Sequence, residues 1–272
     1  TRYFTLFPYT TLFRSISTAL VRAFVQGRYP RPCIVEMGGK NPAIVMPSAD
    51  LDKAVTGVLR AAFGFGGQKC SACSRVFVHR DVAGAFLDRL VAETEAIRIG
   101  DPTERDVFLG PVIHERAVAT YRRAVELARR DGRILTGGRV RTDPPLDRGH
   151  FVEPTVVELA PDHELAREEL FVPFLCVDRV GSLDEALEKA NAVDYGLTAG
   201  LFSEEPAEIE TFFRRIEAGV TYVNRKSGAT TGAWPGVQSF TGWKASGSTG
   251  KGVCGPHYVP QFMREQSRTV MR

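Results

Sequence analysis

The sequence lacks the features that would direct it to a membrane, to secretion or to nucleic acid. No run of about 18 apolar residues occurs, so a membrane-spanning helix is not predicted. The formal net charge is only +3, and Lys and Arg are interspersed with Asp and Glu, which argues against a nucleic-acid-binding surface. The first residues contain no small-residue cleavage site of the secretory kind. The composition is that of a globular protein. The chain has 272 residues, of which 43% are hydrophobic, and this is enough for a sizeable core.

Cysteine is scarce and odd in number, which does not fit a disulfide framework. The five cysteines are Cys33, Cys70, Cys73, Cys176 and Cys254. This usage predicts a reduced, cytoplasmic protein. Cys70 and Cys73 form a C-x-x-C pair, but no second pair occurs and His79 is the only histidine nearby, so no metal site is predicted. A redox pair and a plain structural cysteine remain as alternatives.

The amino-terminal stretch "TRYFTLFPYTTLFRS" has no clean helical or strand periodicity. We interpret residues 1–15 as a non-native leader and leave them out of the fold prediction.

From Ile16 onward, helical and strand patterns alternate, which predicts an α/β protein with a largely parallel sheet. Helices are predicted at 16–29, from Asp50 to about 62, and at 81–98, 115–131, 183–192 and 207–217. Strands are predicted at 33–37, 43–46, 75–79, 174–180, 196–202 and 220–224. Such sheets place active groups on loops beyond the carboxyl ends of strands.

The stretch "FGFGGQKCSACSRV" at 63–76 surrounds a cysteine with glycines and small residues. A cysteine that serves only as a small hydrophobe needs no such access. Gly64, Gly66 and Gly67 permit a close approach of backbone or ligand, so Cys70 is predicted to be reactive.

Four segments resemble, in order, the signature motifs of the aldehyde dehydrogenase superfamily. They are "VEMGGKNP" at 35–42, "GQKCSACSR" at 67–75, "EELFVP" at 168–173 and "FTGWKASG" at 240–247. Glu36 precedes Cys70 by 34 positions, a spacing that the family also uses. The resemblance covers residues 16–272 and implies an aldehyde dehydrogenase-like catalytic domain, with a largely parallel sheet and part of a Rossmann-type cofactor domain.

The resemblance also implies roles for the matched residues. Cys70 would be the nucleophile that forms a thioester, and Glu36 the base that activates water for its hydrolysis. Because Glu36 stands in an apolar segment before two glycines, we expect it to lie away from the surface. Glu169 would bind the ribose next to nicotinamide, and Phe171 would pack near the nicotinamide ring. The implied cofactor is NAD, with NADP left open.

Phe240 would line the substrate cavity by the same resemblance, although both aromatic residues could equally belong to the core. Two positions depart from the family pattern, since Val172 and Thr241 stand where the family has glycine.

A narrower resemblance concerns the substrate. The segment "NRKSGATTGAWPGVQSFTGWKASG" at 224–247, with Ser71, is similar to the 1-pyrroline-5-carboxylate dehydrogenase branch, which oxidises glutamate γ-semialdehyde to glutamate in proline catabolism. Ser71 and a Gly-Ala loop would hold the substrate's α-carboxylate. We prefer Gly232 and Ala233 for that loop, with Gly228 and Ala229 as the other register. Another polar aldehyde remains an alternative.

The resemblance implies three parts of unequal size. Residues 16–37 would end a cofactor-binding domain, 38–240 would form the catalytic domain, and 241–272 would return to the cofactor domain and serve oligomerisation. None of the family's motifs for the early cofactor domain occurs before Glu36. The chain is therefore expected to be a carboxyl-terminal fragment that is inactive alone. At full length it would take a small aldehyde, bind neither nucleic acid nor membrane, and form a homo-oligomer. A noncatalytic fragment and a C-x-x-C redox protein are the alternatives from other classes.

Overall fold

The computed structural model describes residues 9–29, 31, 33–234, 236–249 and 251–272, with the backbone alone for 9–16. The strands are β1 (Asn41–Val45), β2 (Cys73–His79), β3 (Arg133–Thr136), β4 (Thr155–Glu158), β5 (Phe174–Val180), β6 (Tyr195–Gly196), β7 (Thr198–Phe202), β8 (Val220–Val223) and β9 (Trp243–Lys244). The helices are α1 (Tyr9–Gln26), α2 (Leu51–Phe63), α3 (Arg80–Glu95), α4 (Glu115–Asp131), α5 (Glu164–Arg167), α6 (Leu183–Asn191) and α7 (Pro206–Arg215).

A seven-stranded sheet in the order β3-β4-β5-β2-β1-β7-β8 forms the centre of the fold. Its neighbouring strands are parallel except for the antiparallel pair β3 and β4. A separate pair, β6 and β9, is antiparallel. The predicted α/β class with a largely parallel sheet is confirmed. No helix in the described part of the chain is long and apolar enough to cross a bilayer.

Strand β1 lies inside the sheet and is buried along its whole length. Its side chains alternate between two apolar clusters, as the two-residue period of a strand requires. Ala43 and Val45 pack with helices α2 and α3 on one face, whereas Ile44 packs with α6 and α7 on the other. A continuous apolar run is typical of a parallel strand that is covered on both faces.

Helix α2 leads directly to the nucleophile predicted from the sequence. Asp50 caps its amino end by accepting hydrogen bonds from the N–H groups of Asp52 and Lys53. After Phe63 the chain makes a tight turn over Gly64–Gly67, and Cys70 follows just before β2. Cys70 is therefore carried on a short connection between a buried helix and a buried strand.

Most predicted elements are confirmed, and two of the differences lie near the amino end. Helix α1 begins at Tyr9, within the segment 1–15 that we interpret as a leader, and not at Ile16. Residues 1–8 of that segment lie outside the described residues, so the leader remains a prediction. The strand at 33–37 is wrong, because this segment makes a single bridge, from Glu36 to Gly247. A strand needs a neighbour along its length, and no second partner runs beside it in the part of the chain that the structure describes.

The periodicity of the sequence does not predict the shortest elements. Strands β3, β4 and β9 were not predicted, the predicted strand 196–202 is divided at Leu197, and helix α3 ends at Glu95 and not near 98. Strands of two to four residues show too few alternations to display a period. Their partners in the sheet define them, and those partners are distant in sequence.

Tyr121 offers a test of how the outer part of the sheet is held. Its buried hydroxyl lies 2.7 Å from Thr155 Oγ1 and 2.9 Å from the carbonyl oxygen of Glu153, and it accepts from the N–H of Gly138 at 3.1 Å. We expect Tyr121→Phe to lower the free energy of unfolding by about 1–3 kcal/mol, because buried polar partners are left unpaired. Urea unfolding measures this, with Tyr29→Phe at an exposed position as the control. Equal loss in the two variants would contradict the assignment.

Candidate active site

Three segments that enter neighbouring strands meet at one end of the sheet. Residues 36–40 precede β1, residues 68–72 precede β2, and residues 168–172 precede β5. The order β5-β2-β1 places these entries side by side. The site therefore lies at the amino ends of the strands, and Cys70 follows a helix and not the carboxyl end of a strand. The reason is that each candidate side chain comes before its strand and not after it.

Cys70 lies half-buried at the centre of this group. Burial, followed by the negative charges of Glu169 and Glu36, raises the pKa of its thiol. The backbone N–H groups of Ser71 and Cys70 act in the opposite direction and lower that pKa. Lys69, whose own pKa is lowered by burial, is also close enough to interact with the thiol. The structure thus brings the predicted nucleophile and both predicted carboxylates together.

Glu36 differs from the prediction in its exposure. It was expected away from the surface, but the residue is exposed. The physical reason is that, among the described residues, the backbone of 33–37 pairs with the segment around Ser246, whose carbonyl accepts from the N–H of Met37 at 3.0 Å. Partial desolvation of the carboxyl group nevertheless raises the pKa of Glu36 to about 7. A carboxylate with that pKa can accept a proton near neutral pH.

Glu169 is bound to the segment that precedes β1. Its Oε1 accepts a hydrogen bond from the N–H of Gly39 at 3.0 Å. Burial raises the pKa of Glu169 to about 7, although this hydrogen bond and the charge of Lys40 lower it. Phe171 follows with a positive φ of 59°, which is unusual for an aromatic residue. Gly39, Glu169 and Phe171 share the lining of one small cavity.

Val172, which departs from the family's glycine, is buried against the turn before Cys70. A Cβ at Gly67 would lie 2.6 Å from the carbonyl oxygen of Val172, and Gly67 has a φ of +67°. Glycine at 67 is therefore required both by the close approach and by the backbone conformation.

Ser71 and the later Gly-Ala pair are neighbours. Ser71 is buried, and its Oγ accepts from the N–H of Gly232 at 3.3 Å. Gly232 has a φ of +63°, and a Cβ there would meet no atom within 4 Å. Ala233 follows and is half-buried. The loop thus presents a backbone N–H beside the residue that follows the nucleophile.

The other register is used for packing. Ala229 is 1% exposed, and its N–H donates to the carbonyl of Gly57 in helix α2. Gly228 is also buried. This geometry favours Gly232 and Ala233 over Gly228 and Ala229 as the pair that can face a ligand. Pro235, in the same loop, lies outside the described residues.

Phe240 is half-buried, and its N–H donates to the carbonyl of Val253 at 2.8 Å. These contacts belong to the closing segment of the chain. Its role in the substrate cavity remains a prediction.

The remaining cysteines bear on the redox alternative. Cys73 is 1% exposed in β2, its Sγ donates to the carbonyl of Arg75, and burial raises its pKa to about 12. A thiol so hard to ionise is a poor partner for thiol exchange with Cys70. Cys176 is buried, whereas Cys33 and Cys254 are half-buried. No group of three or more His, Cys, Asp or Glu residues suited to a metal ion occurs among the described residues.

Two residues of the motif "GGKN" were not singled out from the sequence. Asn41 is buried, and its side chain donates to the carbonyl oxygens of Cys70 and Ala72. Lys40 is 1% exposed, and its Nζ has no hydrogen-bond partner in the part of the chain that the structure describes. The available signal was the presence of two polar residues at the beginning of a buried strand.

Residues 17–267 match the Aldehyde dehydrogenase family, and the chain belongs to that family. The resemblance stated from the four motifs is confirmed.

Within the family, the chain is similar to 1-pyrroline-5-carboxylate dehydrogenases. It is 40% identical to 1-pyrroline-5-carboxylate dehydrogenase 1 of Halalkalibacterium halodurans over 238 residues. The aligned residues are 87% of this chain and 44% of that protein. A solved variant of the Thermus thermophilus 1-pyrroline-5-carboxylate dehydrogenase is 35% identical with a TM-score of 0.86, over 93% of this chain and 48% of that one. A Thermus 1-pyrroline-5-carboxylate dehydrogenase with bound NAD is 34% identical with a TM-score of 0.84, over 91% of this chain and 47% of that one. The chain spans about half the length of these relatives.

The electrostatic coupling around Cys70 can be tested by alkylation. At pH 8 the two carboxylates, with pKa values near 7, are ionised and oppose formation of the thiolate. We expect Glu36→Gln and Glu169→Gln each to lower the pKa of Cys70 by roughly half a unit, and so to speed its reaction with iodoacetamide about threefold. Peptide mass spectrometry would follow Cys70, with Cys33 and Cys254 as internal references.

Glu168→Gln is the matched control, because it removes a charge at the next position that is not among the causes of the Cys70 shift. Equal acceleration in all three variants would show that the effect is a general change of surface charge.

Proposed function

We propose that the protein containing this chain oxidises an aldehyde to a carboxylate through a thioester on Cys70, with L-glutamate γ-semialdehyde as substrate and NAD as acceptor. The observation that carries the proposal is the convergence of Cys70, Glu36 and Glu169 where three neighbouring strands begin. The relatives named 1-pyrroline-5-carboxylate dehydrogenase support the choice of substrate.

In the first step the Cys70 thiolate adds to the carbonyl carbon of the aldehyde. A C–S bond forms, and the electron pair of the carbonyl moves to its oxygen, which becomes an oxyanion. The N–H groups of Ser71 and Cys70, which lower the pKa of the thiol, stabilise the thiolate that makes this attack. Oxidation of this adduct then leaves a thioester on Cys70.

The residues present fit the nicotinamide end of a dinucleotide. The cavity shared by Gly39, Glu169 and Phe171 lies beside the nucleophile, and a side chain at Gly39 would meet the carbonyl oxygen of Cys70 at 2.6 Å. Glu169 would accept from the ribose hydroxyls, and Phe171 would pack near the ring. When bound, NAD supplies the acceptor for the hydride that the adduct loses. A relative solved with bound NAD supports NAD, and NADP is left open.

In the second step water hydrolyses the thioester. The Glu36 carboxylate removes a proton from water, the hydroxide adds to the thioester carbon, and the C–S bond breaks to release the carboxylic acid and the Cys70 thiolate. Since the pKa of Glu36 is about 7, the base is lost as the pH falls below 7. The overall reaction consumes one aldehyde, one NAD and one water.

Substrate choice would depend on the group at the far end of the aldehyde. The buried Ser71 hydroxyl and the N–H of Gly232 lie within 3.3 Å of each other, and together they suit a carboxylate. This pair supports an aldehyde that carries an α-carboxylate, with another polar aldehyde as the second candidate.

A cellular location and an oligomeric state are proposed as well. Five free cysteines support a cytoplasmic location. We propose a homo-oligomer in which the segment 241–272 takes part. Near its start this segment returns to residues 33–37, where Ser248 Oγ accepts from the N–H of Val35 and donates to the carbonyl of Cys33.

The role of Glu36 is tested by Glu36→Gln in the chain joined to the remaining part of a family-length subunit, because the chain spans about half of its relatives. Only hydrolysis needs the base, so we expect a burst of NADH near one equivalent per site, followed by turnover slowed at least 100-fold. Stopped-flow absorbance at about 340 nm, where NADH absorbs, measures both phases. Cys70→Ser should abolish the burst as well.

Unchanged steady-state turnover in Glu36→Gln would exclude Glu36 as the base. Glu169→Gln should instead slow the first, NADH-forming phase, since its expected contact positions the cofactor.

The carboxylate pocket is tested by Ser71→Ala in the same joined protein. We expect the KM for glutamate γ-semialdehyde to rise about tenfold, since a charged hydrogen bond of roughly 1.5 kcal/mol is lost. The KM for propionaldehyde, which has no carboxylate, should stay unchanged. Equal changes for both aldehydes would mean that Ser71 supports the nucleophile and does not select the substrate.

A further inference from the structure

The side chain of Asn41 connects the first residue of β1 to the loop that carries the nucleophile. Its Nδ2 donates to the carbonyl oxygen of Cys70 at 2.8 Å and to that of Ala72 at 2.9 Å. Its Oδ1 accepts from the N–H of Thr198, the first residue of β7, at 3.0 Å. The residue is 1% exposed, so water does not compete for these bonds. An asparagine amide offers two donors and an acceptor, and here all three functions are used.

The bond to Cys70 acts on the peptide group next to the thiol. The Cys70 carbonyl and the Ser71 N–H belong to the same peptide unit, which is planar and conjugated. A donor on the carbonyl oxygen polarises the unit and makes its N–H a stronger donor. That N–H is one of the groups that lower the pKa of Cys70.

The rest of the loop is held in the same way. The carbonyl of Ser71 accepts from the hydroxyls of Thr230 at 2.9 Å and Thr198 at 3.4 Å. With the two bonds from Asn41, the carbonyls of three successive residues, 70 to 72, all point to buried donors. Gly39 keeps this approach open, because a Cβ there would lie 2.5 Å from Asn41 Oδ1 and 2.6 Å from the carbonyl oxygen of Cys70.

We propose that Asn41 is a positioning residue for the nucleophile. The Asn41 side chain fixes the loop Cys70–Ala72 so that the Ser71 N–H faces the Cys70 sulfur. The assignment rests on the proposed function of Cys70 and adds to it a residue that touches neither substrate nor cofactor. Asn41 stabilises the reactive thiolate through the peptide backbone.

The test measures the reactivity of Cys70 against pH in the 272-residue chain. Iodoacetamide alkylation is followed by peptide mass spectrometry from about pH 7 to 9.5, a range that brackets the ordinary cysteine pKa. We expect Asn41→Ala to move the Cys70 profile to higher pH by roughly half a unit, which is a threefold loss of rate at pH 8. The charged groups that face the thiol, Glu36, Glu169 and Lys69, are unchanged in the variant. Cys254 serves as the internal reference.

Asn191→Ala is the matched control. Its side chain also bridges backbone groups, donating to the carbonyl of Arg215 at 2.8 Å and accepting from the N–H of Glu217 at 2.9 Å. Among the described residues these partners lie outside the loop 70–72. We expect this control to lower the melting temperature without moving the Cys70 profile. All rates are taken at a temperature where circular dichroism shows each variant folded.

Asn41→Ser provides the measurement if Asn41→Ala does not fold, since a hydroxyl remains in the buried position but is too short to reach both carbonyls. A lower melting temperature with an unmoved Cys70 profile, in whichever variant folds, would overturn the proposal and leave Asn41 with a role in stability alone. The outcome does not depend on dehydrogenase turnover. If Cys70→Ser still forms NADH, the proposed function is contradicted. An unchanged alkylation profile of Cys70 contradicts only the role of Asn41.

Discussion

The close approach of the backbone before β1 to the loop before β2 is the constraint on which the rest of the site depends. Gly39 lies so near the carbonyl oxygen of Cys70 that any side chain would collide with it. The same glycine donates its N–H to Glu169. One residue without a side chain therefore connects three strand entries, and the parallel order β5-β2-β1 makes that possible.

Three ionisable groups in that environment limit one another. Each carboxylate raises the pKa of the thiol, and full or partial desolvation raises the pKa of all three groups. A site that held three negative charges at once would be costly in a partly buried setting. The protein opposes this cost with backbone N–H groups and with two lysines, Lys40 and Lys69, that lie nearby. The electrostatic balance is thus provided by groups that take no direct part in bond making.

The sequence predicted the long elements, and three of its candidate site residues lie together in the structure, but it missed the features that depend on distant partners. Helix α2 and strands β1 and β2 carry strong periodic patterns, so their positions follow from local burial. Residues 33–37 have an equally apolar pattern, but within the described part of the chain they make a single bridge. The exposure of Glu36 could not be inferred from its neighbours in sequence, because exposure depends on what packs against it in space. Asn41 was missed for a similar reason, since its three partners are far away along the chain.

The turn between α2 and Cys70 has a consequence for how this part of the chain tolerates change. Phe65 adopts a left-handed backbone conformation with a φ of 58°, yet its side chain is 76% exposed. A bulky residue in that conformation costs about 1–2 kcal/mol, and an exposed ring recovers little of it by burial. Tolerance at this position is therefore governed by backbone handedness and not by hydrophobicity. Glycine and asparagine would be accepted more readily than valine or isoleucine, so that a conservative exchange by the usual chemical similarity would be the disruptive one.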